Sequence, residues 1–292
     1  MFAGIYPIVY AFFDSAGELD RAAMRCQIEA CVRNPSHGIA ALGLATEVGK
    51  LSEAEKRRII EWLAEDANGK KPTAVTISGD TVDTQAALAD FAARHGARWL
   101  ILQPPRDRSQ AEAFYFDFFA EVLARTDLPC AIQNAPEYLG IGLTPESIAR
   151  LAGKRANFVL LKGEGPVVRM RAVIDANPGL AVFNGRGGLE LIDNLRAGCA
   201  GMIIGADSFD WQARAYDAFV GDDAERAEHL YRTLLPGVVF MMQSIDHLVC
   251  YGKRICAHRL GLVVHEREPA LAPSPFGIDC TRRFADLLGP LT

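Results

Sequence analysis

Eight times between residues 5 and 220, a short β-rich run is followed by a run with helical spacing. No other feature of the chain restricts its fold as much. The strand-like runs are Ile5–Tyr10, Ile39–Gly43, Thr73–Ile77, Trp99–Gln103, Cys130–Gln133, Phe158–Lys162, Ala181–Asn184 and Gly201–Gly205. The helical runs between and after them are Asp20–Val32, Ser52–Asp66, Thr81–His95, Ser109–Arg125, Thr144–Ala152, Pro166–Ala176, Leu189–Ala197 and Ser208–Val220. Ser52 followed three residues later by Glu55 reads as a capping box. Pro145 stands at a first helical position, where its missing N–H costs nothing. Alternating strands and helices imply a parallel sheet, and eight units imply a closed barrel. The expected fold is therefore α/β, a (β/α)8 TIM barrel. From Asp222 on, three more helices are expected, Ala224–Leu235, Val238–Tyr251 and Lys253–Leu260, followed by a proline-rich, loop-like tail. Residues 1–221 are read as the barrel and 222–292 as a C-terminal helical extension packed on it.

Composition excludes several function classes. A net charge of −5 with dispersed arginines gives no nucleic-acid footprint. No apolar run approaches the roughly 18 residues that a membrane span needs, and the N-terminus lacks a secretory pattern. The seven cysteines form no C-x-x-C and the six histidines no H-x-x-H. Reduced thiols, no metal, no cofactor and a cytoplasmic setting are expected.

A barrel directs attention to the C-terminal ends of its strands. There the run Asn157-Phe158-Val159-Leu160-Leu161-Lys162-Gly163-Glu164-Gly165 ends an apolar strand in a lysine. Residues i and i+2 of an extended chain share a side, so Lys162 and Glu164 face one pocket or form an exposed pair at a strand end. In a partly dry pocket an amine forms a Schiff base with a ketone. Gly163 and Gly165 are expected to let substrate or backbone approach.

Taken in order, the strand ends resemble those of the dihydrodipicolinate synthase / N-acetylneuraminate lyase superfamily. Lys162 stands at the end of strand six, where that family carries its Schiff-base lysine. Gly43-Leu44-Ala45-Thr46-Glu47 is similar to the family's loop after strand two. Gln133-Asn134-Ala135-Pro136 matches the segment after strand five, Asn184-Gly185-Arg186-Gly187-Gly188 the glycine loop after strand seven, and Gly201-Met202-Ile203-Ile204-Gly205 strand eight. The resemblance implies a small 2-keto acid substrate and a homotetramer. It places Gly43, Ala45, Thr46, Gly185 and Ile203 around that substrate. The N–H groups of residues 44–46 and the Thr46 hydroxyl are the expected carboxylate donors.

The departures are as informative. Where the family's synthases and aldolases relay protons through a tyrosine after strand five, this chain has Gln133. Leu44 and Pro105 replace two further hydroxyl-bearing residues, and Tyr138 stands where the synthase has an arginine. Lys162, Glu164 and Gln133 together resemble a dehydratase branch, the L-2-keto-3-deoxyarabonate dehydratases. The resemblance implies a hydro-lyase in which Lys162 forms the imine while Glu164 and Gln133 assist loss of the C4 hydroxyl. A pyruvate-dependent aldolase or hydratase-aldolase is the alternative. Glu47 is read mainly as a loop tie. Arg186 is read either as a solvated loop charge or as a contact to distal hydroxyls.

Overall fold

A computed structural model describes residues 2–291. Eight parallel strands close on themselves: β1 (Gly4–Ile8), β2 (Ile39–Ala41), β3 (Thr73–Ile77), β4 (Trp99–Leu102), β5 (Cys130–Asn134), β6 (Phe158–Gly163), β7 (Ala181–Asn184) and β8 (Gly201–Gly205). β1 pairs with β8 from Gly4↔Gly201 to Ile8↔Gly205 and with β2 on its other side, which completes the ring. Helices cover the outside, so the strands are buried on both faces and read as continuous apolar runs. Tyr6, Trp99 and Phe183 come from three strands that are not neighbours. Their rings lie 5.4 to 5.8 Å apart. Such contacts are possible only across the barrel interior, and they fill it as a packed layer.

Most element boundaries fall within a few residues of expectation. The Ser52–Glu55 capping box forms at the helix Glu53–Ala67. β2 stops at Ala41 because Leu42 takes a left-handed φ of 64°. The helix expected from Ser109 begins at Glu112, after Asp107 has turned the chain by accepting from the Ser109 N–H and hydroxyl.

The C-terminal region differs more. One helix, Ala224–Met241, runs through Pro236. Burial of Leu234, Gly237, Val238 and Met241 on its inner face offsets the N–H that proline lacks. The break comes instead at residues 242–244, after which Ser244 caps a new turn by accepting from the His247 N–H. The tail, expected to be loop-like, holds a 14-residue helix, Pro275–Leu288. Ser274 caps it and Pro275 occupies its first position, a start signal obscured by the surrounding prolines. Phe284 and Ala285 anchor it, and Arg259 ties it down through Gly289 O and a buried pair with Asp210.

An ionic cluster joins this region to the loop after β2. Lys253 is fully buried and pairs with Oε1 of Glu47, while Lys50 donates to Oε2 at 2.6 Å. Glu47 has a left-handed φ of 56°, so these contacts hold a conformation unusual for a side-chain-bearing residue. Breaking a buried pair leaves a charge uncompensated. Lys253→Met is expected to lower stability by about 3 kcal/mol. A urea midpoint that falls with the slope unchanged is the expected reading; an unchanged midpoint contradicts this role for Lys253.

Among the described residues no helix is by itself long and apolar enough to cross a membrane, and no three His, Cys, Asp or Glu side chains are placed to hold a metal ion. The cysteines are unpaired. Burial pushes the thiols of Cys130 and Cys199 up to about 12.

Candidate active site

β5 and β6 lie side by side with Gln133 opposite Lys162 in register. The Glu164 N–H donates to Asn134 O at 3.1 Å, which extends the pairing one step past β6. The extended backbone brings Lys162 and Glu164 to the same side. Lys162 is 2% exposed and Glu164 6%. Lys162 Nζ lies 3.3 Å from Glu164 Oε1. Glu164 Oε2 accepts from Gln133 Nε2 at 2.6 Å, and Gln133 Oε1 accepts from Gln103 Nε2 at 2.9 Å. An amine, a carboxylate and two amides thus form one row on three adjacent strands. Such a row is affordable in a dry barrel because each polar group has a partner.

Lys162 and Glu164 open into a narrow cavity together with Ala45 and Ile203. Gln133 sits behind Glu164 and is 1% exposed. Gly43, Thr46 and Gly185 do not line the cavity, and each has another task. The Thr46 hydroxyl donates to Val9 O at 2.6 Å and its N–H to Gly43 O at 3.0 Å, so neither is free to receive a carboxylate. Gly43 admits Ile8, whose Cδ1 lies 2.8 Å from where a Cβ would stand. At Gly185 a Cβ would stand 2.3 Å from Glu164 Oε1. This glycine makes room for the carboxyl. Gly163 and Gly165 face Met170 of the helix Val167–Ala176 instead of a ligand.

Gly185→Ala must therefore displace Glu164. A shift of about 1 Å in a reacting group costs roughly 100-fold in rate. The expected result is a loss of turnover of that order with Lys162 still reactive towards a keto acid and borohydride. Turnover at the wild-type rate contradicts this account of Gly185.

Three further features complete the cavity. Tyr138 and Arg186 both line the cavity, so Arg186 is not a solvated loop charge. Arg186 pairs with Glu190 at 2.8 Å, and its Nε is buried without a partner among the described residues. Burial raises the Tyr138 hydroxyl above its ordinary value, with Arg186 beside it acting in the opposite direction. The third feature is the roof, made by Met242, Ile245 and Leu248 of the C-terminal region. Met242 packs on the β7 loop where Gly187, at φ 61°, carries no Cβ. The sequence had placed Tyr138 where the synthase has an arginine and had offered Arg186 as a contact to distal hydroxyls. Nothing in the sequence pointed to the roof.

The model of the dihydrodipicolinate synthetase family matches residues 1–274. The chain belongs to that family. Its members are lyases of aldolase and dehydratase type. The protein of Escherichia coli (strain K12) named "Probable 2-dehydro-3-deoxy-D-pentonate aldolase YjhH" is 26% identical over 86% of this chain and 86% of its own length. The L-2-keto-3-deoxyarabonate dehydratase of Azospirillum brasilense is 26% identical over 80% of this chain and 77% of its own. The crystal structure of YagE from E. coli K12, in complex with pyruvate, superposes with a TM-score of 0.91 over 99% of both chains at 22% identity, a likeness of fold.

Proposed function

We propose that the chain is a Schiff-base-forming lyase that dehydrates a 2-keto-3-deoxy sugar acid, L-2-keto-3-deoxyarabonate to 2-oxoglutarate semialdehyde. The observation that carries this reading is the carboxyl of Glu164, 3.3 Å from the Lys162 amine, with an amide in place of a phenol at Gln133. In the proposed reaction Lys162 Nζ adds to the C2 ketone and water leaves, giving a protonated imine. The imine draws electrons from C3, and a base removes a C3 proton to give an enamine. The enamine expels the C4 hydroxyl, which must take up a proton to leave as water near neutral pH. Glu164 is the carboxyl sited to move both protons. Loss of a C5 proton from the conjugated imine gives a dienamine that takes a proton back at C3; water then hydrolyses the imine at C2 and frees the lysine, and the remaining C4–C5 enol moves its hydroxyl proton to C4 to become the semialdehyde. Leu44 and Ala45 open a tight helical turn beside the cavity. Their N–H groups are the donors proposed for the substrate carboxylate.

The relatives include one named as a dehydratase and one named as an aldolase at equal identity, so they do not separate the two chemistries. Tyr138 favours the second reading, a pyruvate-dependent aldolase, because it brings a hydroxyl to the cavity that Gln133 does not supply. Mass spectrometry after incubation with L-2-keto-3-deoxyarabonate and borohydride, alongside product analysis, tests both. An adduct on Lys162 with semialdehyde and no pyruvate is the expected result. Pyruvate detected by coupling to lactate dehydrogenase assigns the chain to the aldolases. Absence of any adduct overturns the Schiff-base reading.

A further inference from the structure

Gln103 follows β4 directly, is 7% exposed and does not line the cavity around Lys162. Its backbone is held on both sides. Its N–H donates to Ile77 O at 2.9 Å, and its carbonyl accepts from Gln85 Nε2 at 2.8 Å. Gln85 is itself fully buried and donates also to Gly79 O at 2.9 Å. The Gln103 side chain is thereby aimed from a fixed base at the Gln133 amide.

A glutamine amide has a donor end and an acceptor end, and its neighbours decide which way it points. Glu164 Oε2 lies 2.6 Å from Gln133. An ionised carboxylate can only accept, so at that distance it must face the NH2 end. The Gln133 oxygen then points the other way, where Gln103 Nε2 donates to it at 2.9 Å. Without that donor the amide is free to turn over whenever Glu164 gains a proton. Turned over, it would accept a proton carried on Oε2, the oxygen away from Lys162.

We infer that Gln103 is a positioning residue for the lyase reaction: it locks the Gln133 amide so that Glu164 carries its proton on Oε1, the oxygen beside Lys162. The inference rests on the proposed acid/base role of Glu164. It adds that the two oxygens of that carboxyl are not equivalent. Oε2 is permanently capped by an N–H, and Oε1 alone exchanges protons with the substrate. Losing the lock leaves the Gln133 amide free to turn over and the carboxyl misdirected.

The test is Gln103→Leu, with Gln103→Met as the variant that fills the same space more flexibly. Each is expected to lower kcat on the order of tenfold, the effect of one charge-assisted hydrogen-bond relay, with KM within about twofold. Trapping of Lys162 by pyruvate and borohydride proceeds as in the wild type. A packing role would lower kcat whether or not Gln133 is present. In a Gln133→Leu background, Gln103→Leu has no further effect, because nothing is left to orient. The inference is overturned if both Gln103 variants keep the wild-type kcat, or if the Gln103→Leu loss persists undiminished without Gln133. Glu164→Gln separates the two levels. If it is inactive while the Gln103 variants behave as wild type, only the positioning inference fails. If it turns over like the wild type, the acid/base reading fails and this one with it.

Discussion

Lys162→Met abolishes turnover, with a loss on the order of 10⁴-fold or more, as expected when a covalent nucleophile is removed. Methionine is nearly isosteric and leaves the layered interior filled. The barrel should therefore remain folded, and the circular dichroism spectrum should match the wild type. What disappears is the mass shift after incubation with pyruvate and borohydride. The argument depends on Lys162 being the amine that the cavity presents: it is 2% exposed, lies at the end of β6 and faces Glu164 at 3.3 Å. A borohydride adduct that persists in Lys162→Met would move the chemistry to another amine and dismantle the site. Lys253 does not compete, because it is fully buried and committed to Glu47.

Glu164→Gln gives the second large effect, and it splits the reaction in two. The amide keeps the shape of the carboxyl and cannot move a proton near neutral pH. Loss of one positioned general acid/base costs typically 10²–10⁴-fold. Semialdehyde formation should fall within that range. Imine formation should continue, because it needs only the amine and the ketone, so the adduct on Lys162 is retained in a variant that barely turns over. The split distinguishes a chemical role from a structural one. A Glu164→Gln protein that neither reacts with borohydride nor turns over would show that the carboxylate serves mainly to hold Lys162. Dehydration at the wild-type rate would remove Glu164 from the mechanism and leave Tyr138 as the hydroxyl that the cavity still offers.

Both arguments began with residues visible in the sequence, and the reason is geometric. Parallel strands are buried on both sides, so a lysine or a glutamine ending such a run stands out against its neighbours. Lys162 was legible in this way and Glu164 by its spacing from it, Gln133 was singled out by the resemblance, and the pairing of β5 with β6 brings them together. The glycines were harder to interpret. Gly185 was expected at the substrate, yet its missing Cβ makes space for Glu164, a neighbour 21 positions earlier in the chain. Thr46 was expected to offer its hydroxyl to the substrate carboxylate, and the fold directs it to Val9 O. A side chain's partner depends on what lies across the barrel, and spacing along the chain does not report that.

The sequence by itself determined the eight alternating units, the barrel they require, and the strand ends where chemistry-bearing residues collect. These are local consequences of periodicity, of turn residues and of the burial of both sheet faces. Only the tertiary structure decided what closes the site and what orients it. Met242, Ile245 and Leu248 roof a cavity whose lysine is some 80 residues away, and Gln103 reaches Gln133 on the neighbouring strand, 30 residues on in the chain. Contacts of this kind depend on how the C-terminal helices pack over the barrel mouth and on which amide end meets which neighbour. The physical reason is that packing and hydrogen-bond direction are set by three-dimensional neighbours, while periodicity records only which face of an element is buried.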